Sequence, residues 1–69
     1  MATRDLVRMA NQIAANFSYL STDEAAAATA AHLKSFWPRE MRNDFCAEVS
    51  DDELVTVARA AKVVLTQEP

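Results

Sequence analysis

With 69 residues and a net charge of −3, the chain is one domain at most, and its charge argues against nucleic acid, whose phosphates need a basic face. It contains no glycine, which excludes Rossmann turns, Walker loops and nucleophile elbows, because these need glycine where backbone approaches phosphate or bends sharply. One cysteine, Cys46, and one histidine, His32, preclude an internal disulfide and fall short of the four soft ligands of a structural zinc site.

From Asp5 to about Phe17, apolar residues recur at Leu6, Met9, Ala10, Ile13 and Phe17. That three-to-four spacing predicts one face of an amphipathic helix. Thr3 is the candidate N-cap, and Asp5 suits the positive end of the helix dipole. Asn16 to Leu20 is expected to end the helix, with Leu20 folding back onto the core. Asparagine is a mediocre helix former, so Asn11 and Asn16 in one helix need an account. Asn16 is a candidate C-cap. Asn11 beside the apolar stripe is either an exposed polar residue or a fastener of neighbouring backbone, within this chain or across an interface.

Ser21-Thr22-Asp23-Glu24 reads as a capping box opening a second helix, with Thr22 as the competing cap. Ala25 to Ala31 is all alanine apart from Thr29, which favours helix and lets neighbouring backbones approach while burying little area. Packing is expected to strengthen at the end of this helix, through Leu33, Phe36 and Trp37. Pro38 disfavours helical geometry at Trp37, so the helix should stop there, and proline suits the first position of a new helix. Met41, Phe45 and Val49 at four-residue intervals predict a short third helix. Ser50-Asp51-Asp52-Glu53 reads as a second capping box, opening a fourth helix with Leu54, Val57, Ala58, Ala61, Val64 and Leu65 on one face. Gln67-Glu68-Pro69 should fray. The expected fold is all-α, a single domain spanning residues 1–69 as a small bundle of three to four short helices.

No stretch approaches the roughly 20 strongly apolar residues of a membrane helix. The first residues carry Arg4, Asp5 and Arg8 where a signal peptide would be apolar, and a lone thiol suits the reducing cytoplasm, so a cytoplasmic location is expected. His32 is read as hydrogen-bonding at a helix or subunit interface, since spacing sets no serine, cysteine or carboxylate beside it. Cys46 is read as a small apolar filler. Asp51-Asp52-Glu53 is read as acidic residues at a helix start rather than a cation site. No catalytic, cofactor-binding or metal-ligating residue is expected.

The segment from Ala30 to Arg42 concentrates the interaction signal. Trp, Arg and Met are enriched at protein interfaces. A core too small to be more than marginal also favours a partner, since a chain of this size buries only about 60% of its unfolded surface. The candidate partner-contact residues are Arg8, Asn11, Trp37, Arg39, Met41 and Arg42, and the candidate core is Leu6, Ile13, Phe17, Leu33 and Phe36.

The strings LVRMANQIAANF (Leu6 to Phe17) and AAHLKSFW (Ala30 to Trp37), followed by Met41-Arg42, resemble the delta subunit of NAD-dependent, molybdenum-containing formate dehydrogenases. One departure stands out: Pro38 follows Trp37 directly, where that family places an acidic or polar residue before the proline. The resemblance implies a non-catalytic accessory subunit that docks on the large catalytic subunit and serves assembly, stability or cofactor insertion. It also implies that the molybdenum bis-guanine-dinucleotide cofactor, iron–sulfur clusters, flavin and NAD sites lie on other subunits. The alternative is a free-standing homodimeric interaction or regulatory module that buries the alanine-rich helix.

Overall fold

A computed structural model describes residues 2–67. Four α-helices follow one another: α1 (Thr3–Asn16), α2 (Thr22–Phe36), α3 (Arg39–Glu48) and α4 (Thr56–Gln67), with a single 3-10 turn at Asp51–Glu53. The described residues contain no strand, so the all-α bundle expected from periodicity is the fold. Of the C-terminal residues expected to fray, Gln67 ends α4, while Glu68 and Pro69 lie outside the described residues.

The core draws on every helix. Leu6, Ala10 and Ala14 of α1 meet Leu33, Trp37, Phe45, Val49, Leu54 and Ala58, with Val7, Met9, Ile13, Met41, Cys46, Val57 and Leu65 packed around them. Cys46 is therefore the half-buried filler that its position beside Phe45 predicted. The most extensive helix pairing is α2 with α4. Its small residues explain how the two backbones come close: Ala25, Ala26, Thr29 and Ala30 of α2 and Ala58 and Ala61 of α4 are all buried. Ala25, Ala26, Thr29 and Ala30 of the alanine-rich run are thus covered within one chain, while Ala27 and Ala31 are exposed.

One atom in this region is out of balance. Thr29 is fully buried, yet its hydroxyl has no hydrogen-bond partner among the described residues. A buried hydroxyl without a partner costs about 1–3 kcal/mol in lost hydration. Thr29→Val keeps the shape and removes the hydroxyl, so it is expected to stabilise the chain by about 1 kcal/mol. The check is a higher urea midpoint at unchanged m-value.

Helix boundaries follow local chemistry. The Ser21 capping box forms as expected: Glu24 N–H donates to Ser21 Oγ at 3.2 Å, and Ser21 N–H donates to Glu24 Oε1 at 3.3 Å. Thr3 is not a cap. It lies inside α1, and Ala2 holds the N-cap position without a side-chain bond. Pro38 sits one place earlier than expected, as N-cap of α3 rather than its first residue. The second capping box does not form. Ser50 Oγ donates to Asp52 Oδ1 and accepts no bond from a backbone N–H of the turn, the chain takes a 3-10 turn, and α4 starts only at Thr56.

Without glycine, no helix ends in the left-handed conformation that usually closes one, and no positive φ occurs among the described residues. Long cations do this work instead. Arg42 Nη1 donates to the Lys34 carbonyl near the end of α2 at 3.3 Å, and Lys62 Nζ donates to the Val49 carbonyl at the end of α3 at 2.6 Å. Arg59 Nη2 donates to the Leu54 carbonyl after the 3-10 turn at 3.2 Å. Carbonyls at helix ends lack intrahelical donors, so each such bond satisfies an otherwise open acceptor.

Candidate interaction surface

The corner between α2 and α3 is built by Pro38. It holds Trp37 in extended backbone (φ −91°, ψ 136°), although Trp37 N–H still reaches the Leu33 carbonyl at 2.9 Å. Trp37 continues the line Ala26, Ala30, Leu33, each three or four residues apart, and is only 7% exposed. Its ring meets Phe45 edge-on, with centroids 5.6 Å apart and planes at 89°. Trp37, expected in the packing at the end of this helix and also as a contact residue, is core in this chain.

Phe36 reverses the other way. Expected in the core, it is 71% exposed. It shares a flank of α2 with Ala25, Thr29 and His32. Along that flank burial falls from fully covered Ala25 and Thr29 to half-buried His32 and then Phe36. The neighbouring helices cover the early turns and stop short of the last one. Periodicity assigns Phe36 to a partly buried flank but cannot say where the cover ends. His32 lies against it, ring centroids 4.6 Å apart at 37°. That ring contact, rather than the expected hydrogen bond, is the interaction described for His32.

Of the other contact candidates, Arg39 is exposed at the start of α3. Met41 is half-buried against the core. Arg42 is occupied at the end of α2, where its Nε is buried without a partner among the described residues. Arg8 is exposed and pairs loosely with Asp5 at 3.5 Å. With Met9, Gln12 and Ile13 it lines a shallow groove along α1. Phe17, a core candidate, and Leu20 are half-buried, and neither joins the main cluster.

Asn11 is explained within the chain. Its Nδ2 donates to the Glu53 carbonyl at 3.1 Å, and its Oδ1 accepts from Val55 N–H at 2.9 Å. One side-chain amide thus brackets Leu54 as a neighbouring strand would, holding this 3%-exposed residue in the core. The amide is engaged on both sides, so Asn11 acts as a clasp between α1 and the entry to α4. Its oddness in a helix was legible in the sequence, but its partner, more than forty positions away, was not.

The acidic turn is local structure. Asp51 pairs with Lys62 Nζ at 2.9 Å. The Asp52 carboxyl is held below its ordinary value of 3.8, chiefly by the hydrogen bond from Ser50 and also by its own backbone N–H. A carboxylate so favoured contributes above 3.8 and loses that contribution as pH falls through its lowered value. Ser50→Ala should therefore move the Asp52 titration up toward 3.8, read by NMR of its side-chain carbonyl carbon. No group of three or more His, Cys, Asp or Glu among the described residues is placed to hold a metal ion. No helix among them is long and apolar enough to cross a membrane.

The helices and the corner coincide with a known family. The family model described as "NADH-dependant formate dehydrogenase delta subunit FdsD" matches residues 5–62, which takes in most of α1, all of α2 and α3, the Asn11 clasp and most of α4. No curated protein and no solved structure matches the chain. The match covers well over half the sequence and includes both strings that carried the resemblance. The chain belongs to the family of formate dehydrogenase delta subunits.

Proposed function

We propose that this delta subunit is a non-catalytic accessory chain that docks on the large catalytic subunit and supports assembly, stability or cofactor insertion. The observation that carries this reading is the family match across residues 5–62. The side-chain chemistry is consistent with it. Asn11, Arg42, Arg59, Lys62 and the Ser21–Glu24 pair direct their polar groups to the chain's own backbone. Such groups hold a fold together rather than act on a substrate. On this reading the molybdenum cofactor belongs to the large subunit, and the iron–sulfur, flavin and NAD sites lie on other subunits of a cytoplasmic complex. Arg8 and Arg39 stand exposed and remain candidates for contact.

The test is to delete the chain from cells that make the complex, then measure subunit composition and molybdenum content together. Lost assembly assigns scaffolding. Intact assembly with low molybdenum assigns cofactor insertion. Full assembly at full molybdenum content and stability would contradict the proposal.

A further inference from the structure

We infer that α4 is a detachable lid, which opens as a unit while α1, α2 and α3 stay packed, hinged between Leu54 and Thr56 and latched by Lys62. α4 pairs closely with α2, but through side chains that bury little area. Its fully covered residues are Ala58 and Ala61. The other three helices each seat a large side chain in the core: Leu6 in α1, Leu33 in α2 and Phe45 in α3. The longer side chains of α4 are held less firmly. Val57 and Leu65 pack at the margin of the core, Val64 is half-buried, and Val63 is 50% exposed. Hydrophobic stabilisation follows the apolar area removed from water, so a helix seated on alanines is held more weakly than one seated on Phe or Leu. Segments with few buried apolar contacts open at lower free energy than the whole domain.

A second feature favours opening independently of area. α4 is the helix that covers most of α2, and on α2 Thr29 is fully buried with a hydroxyl that has no partner among the described residues. Lifting α4 lets water reach that hydroxyl, so its burial penalty is carried by the closed form alone. The hinge is set by Asn11. Its bonds to the Glu53 carbonyl and from Val55 N–H hold the chain to α1 on both sides of Leu54, so that residue stays in the core when α4 lifts. The latch lies farther along the helix. Lys62 Nζ donates to the Val49 carbonyl at 2.6 Å and to Asp51 Oδ1 at 2.9 Å, tying the middle of α4 to the end of α3 and the turn beyond it. Arg59 reaches the Leu54 carbonyl, at the hinge itself, and so permits the movement.

The experiment is native-state hydrogen exchange of the full chain, read by NMR in rising urea below the unfolding transition. Amides of Ala61 and Lys62 report opening of α4, and those of Ala10 and Leu33 report loss of the remaining core. Ala61 and Lys62 should exchange about tenfold faster or more, with a shallower urea dependence, because less surface is exposed when α4 alone lifts. Phe45→Leu should speed exchange at Ala10 and Leu33 about fivefold and leave Ala61 and Lys62 unchanged, since that core survives the opening. Thr29→Val should slow Ala61 and Lys62 about fivefold, and Lys62→Met should speed Ala61 about tenfold. One exchange free energy and one urea slope at all four amides would show that α4 opens only with the whole chain, and would overturn the lid. Unchanged exchange at Ala61 in Thr29→Val would mean that Thr29 stays covered, which also overturns it, and unchanged exchange in Lys62→Met would remove the latch. The opening requires no partner, so its failure leaves the docking reading untouched.

Discussion

Phe45→Ala is expected to leave the isolated chain largely unfolded. Phe45 is completely buried in α3 and is the largest fully buried side chain. Its replacement removes a ring from the centre of a cluster fed by all four helices and strips Trp37 of its edge-on neighbour. Phenylalanine-to-alanine changes in cores cost about 3–5 kcal/mol. A domain of this size has roughly 3–10 kcal/mol to lose. The chain's one tryptophan makes the result easy to read. Its emission should shift to the red as the ring enters water, and helical circular dichroism should fall with it. Phe45→Leu should keep the native spectrum at reduced stability.

The second large effect is expected at Asn11. Asn11→Ala removes both bonds that bracket Leu54. Each is worth about 1 kcal/mol, and the better helix propensity of alanine offsets part of the loss, so destabilisation of about 1–2 kcal/mol is expected. Asn11→Asp separates the two halves of the clasp. It keeps an acceptor for Val55 N–H but at neutral pH has no donor for the Glu53 carbonyl, and it sets a negative charge beside Asp51-Asp52-Glu53. It should be less stable than Asn11→Ala at pH 7. Its folded carboxyl is expected to titrate above the ordinary aspartate range, because only the protonated form can donate. Its deficit relative to the native chain should therefore shrink as pH falls through that raised value. Urea denaturation of the three proteins across pH provides the measurement. Equal stability of Asn11→Ala and the native chain would show that the clasp contributes nothing.

What the sequence revealed and what it concealed divide along a physical line. The Ser21 box and the Pro38 stop were legible because each is decided within a few residues of backbone. The Met41–Phe45–Val49 spacing likewise gave α3 its buried side. Ser50-Asp51-Asp52-Glu53 has the same serine-to-glutamate spacing as the first box, yet Ser50 bonds to Asp52 and the chain turns once before α4. A local pattern offers a cap but does not oblige the backbone to take it. Phe36 departs from its expected core place for a tertiary reason, while Trp37 packs as the end of that helix was expected to. Only the packed bundle decides that the cover over one flank of α2 ends at its last turn. The contact candidates shifted for a similar reason. In a chain without glycine, Arg42 is drawn to a helix end, and Asn11 is drawn to the entry of α4.

These placements narrow how the subunit meets a partner. The alanine seam, Trp37 and the Asn11 clasp hold the bundle together, whereas Phe36 and Arg39 face outward at one corner and Arg8 faces outward on α1. The described bundle measures 29 × 24 × 18 Å. The most direct measurement is sedimentation velocity of the purified chain mixed with the purified large catalytic subunit at physiological salt. A stoichiometric complex that sediments faster than the catalytic subunit alone is predicted. Two independent boundaries at every concentration up to the micromolar range would contradict the account.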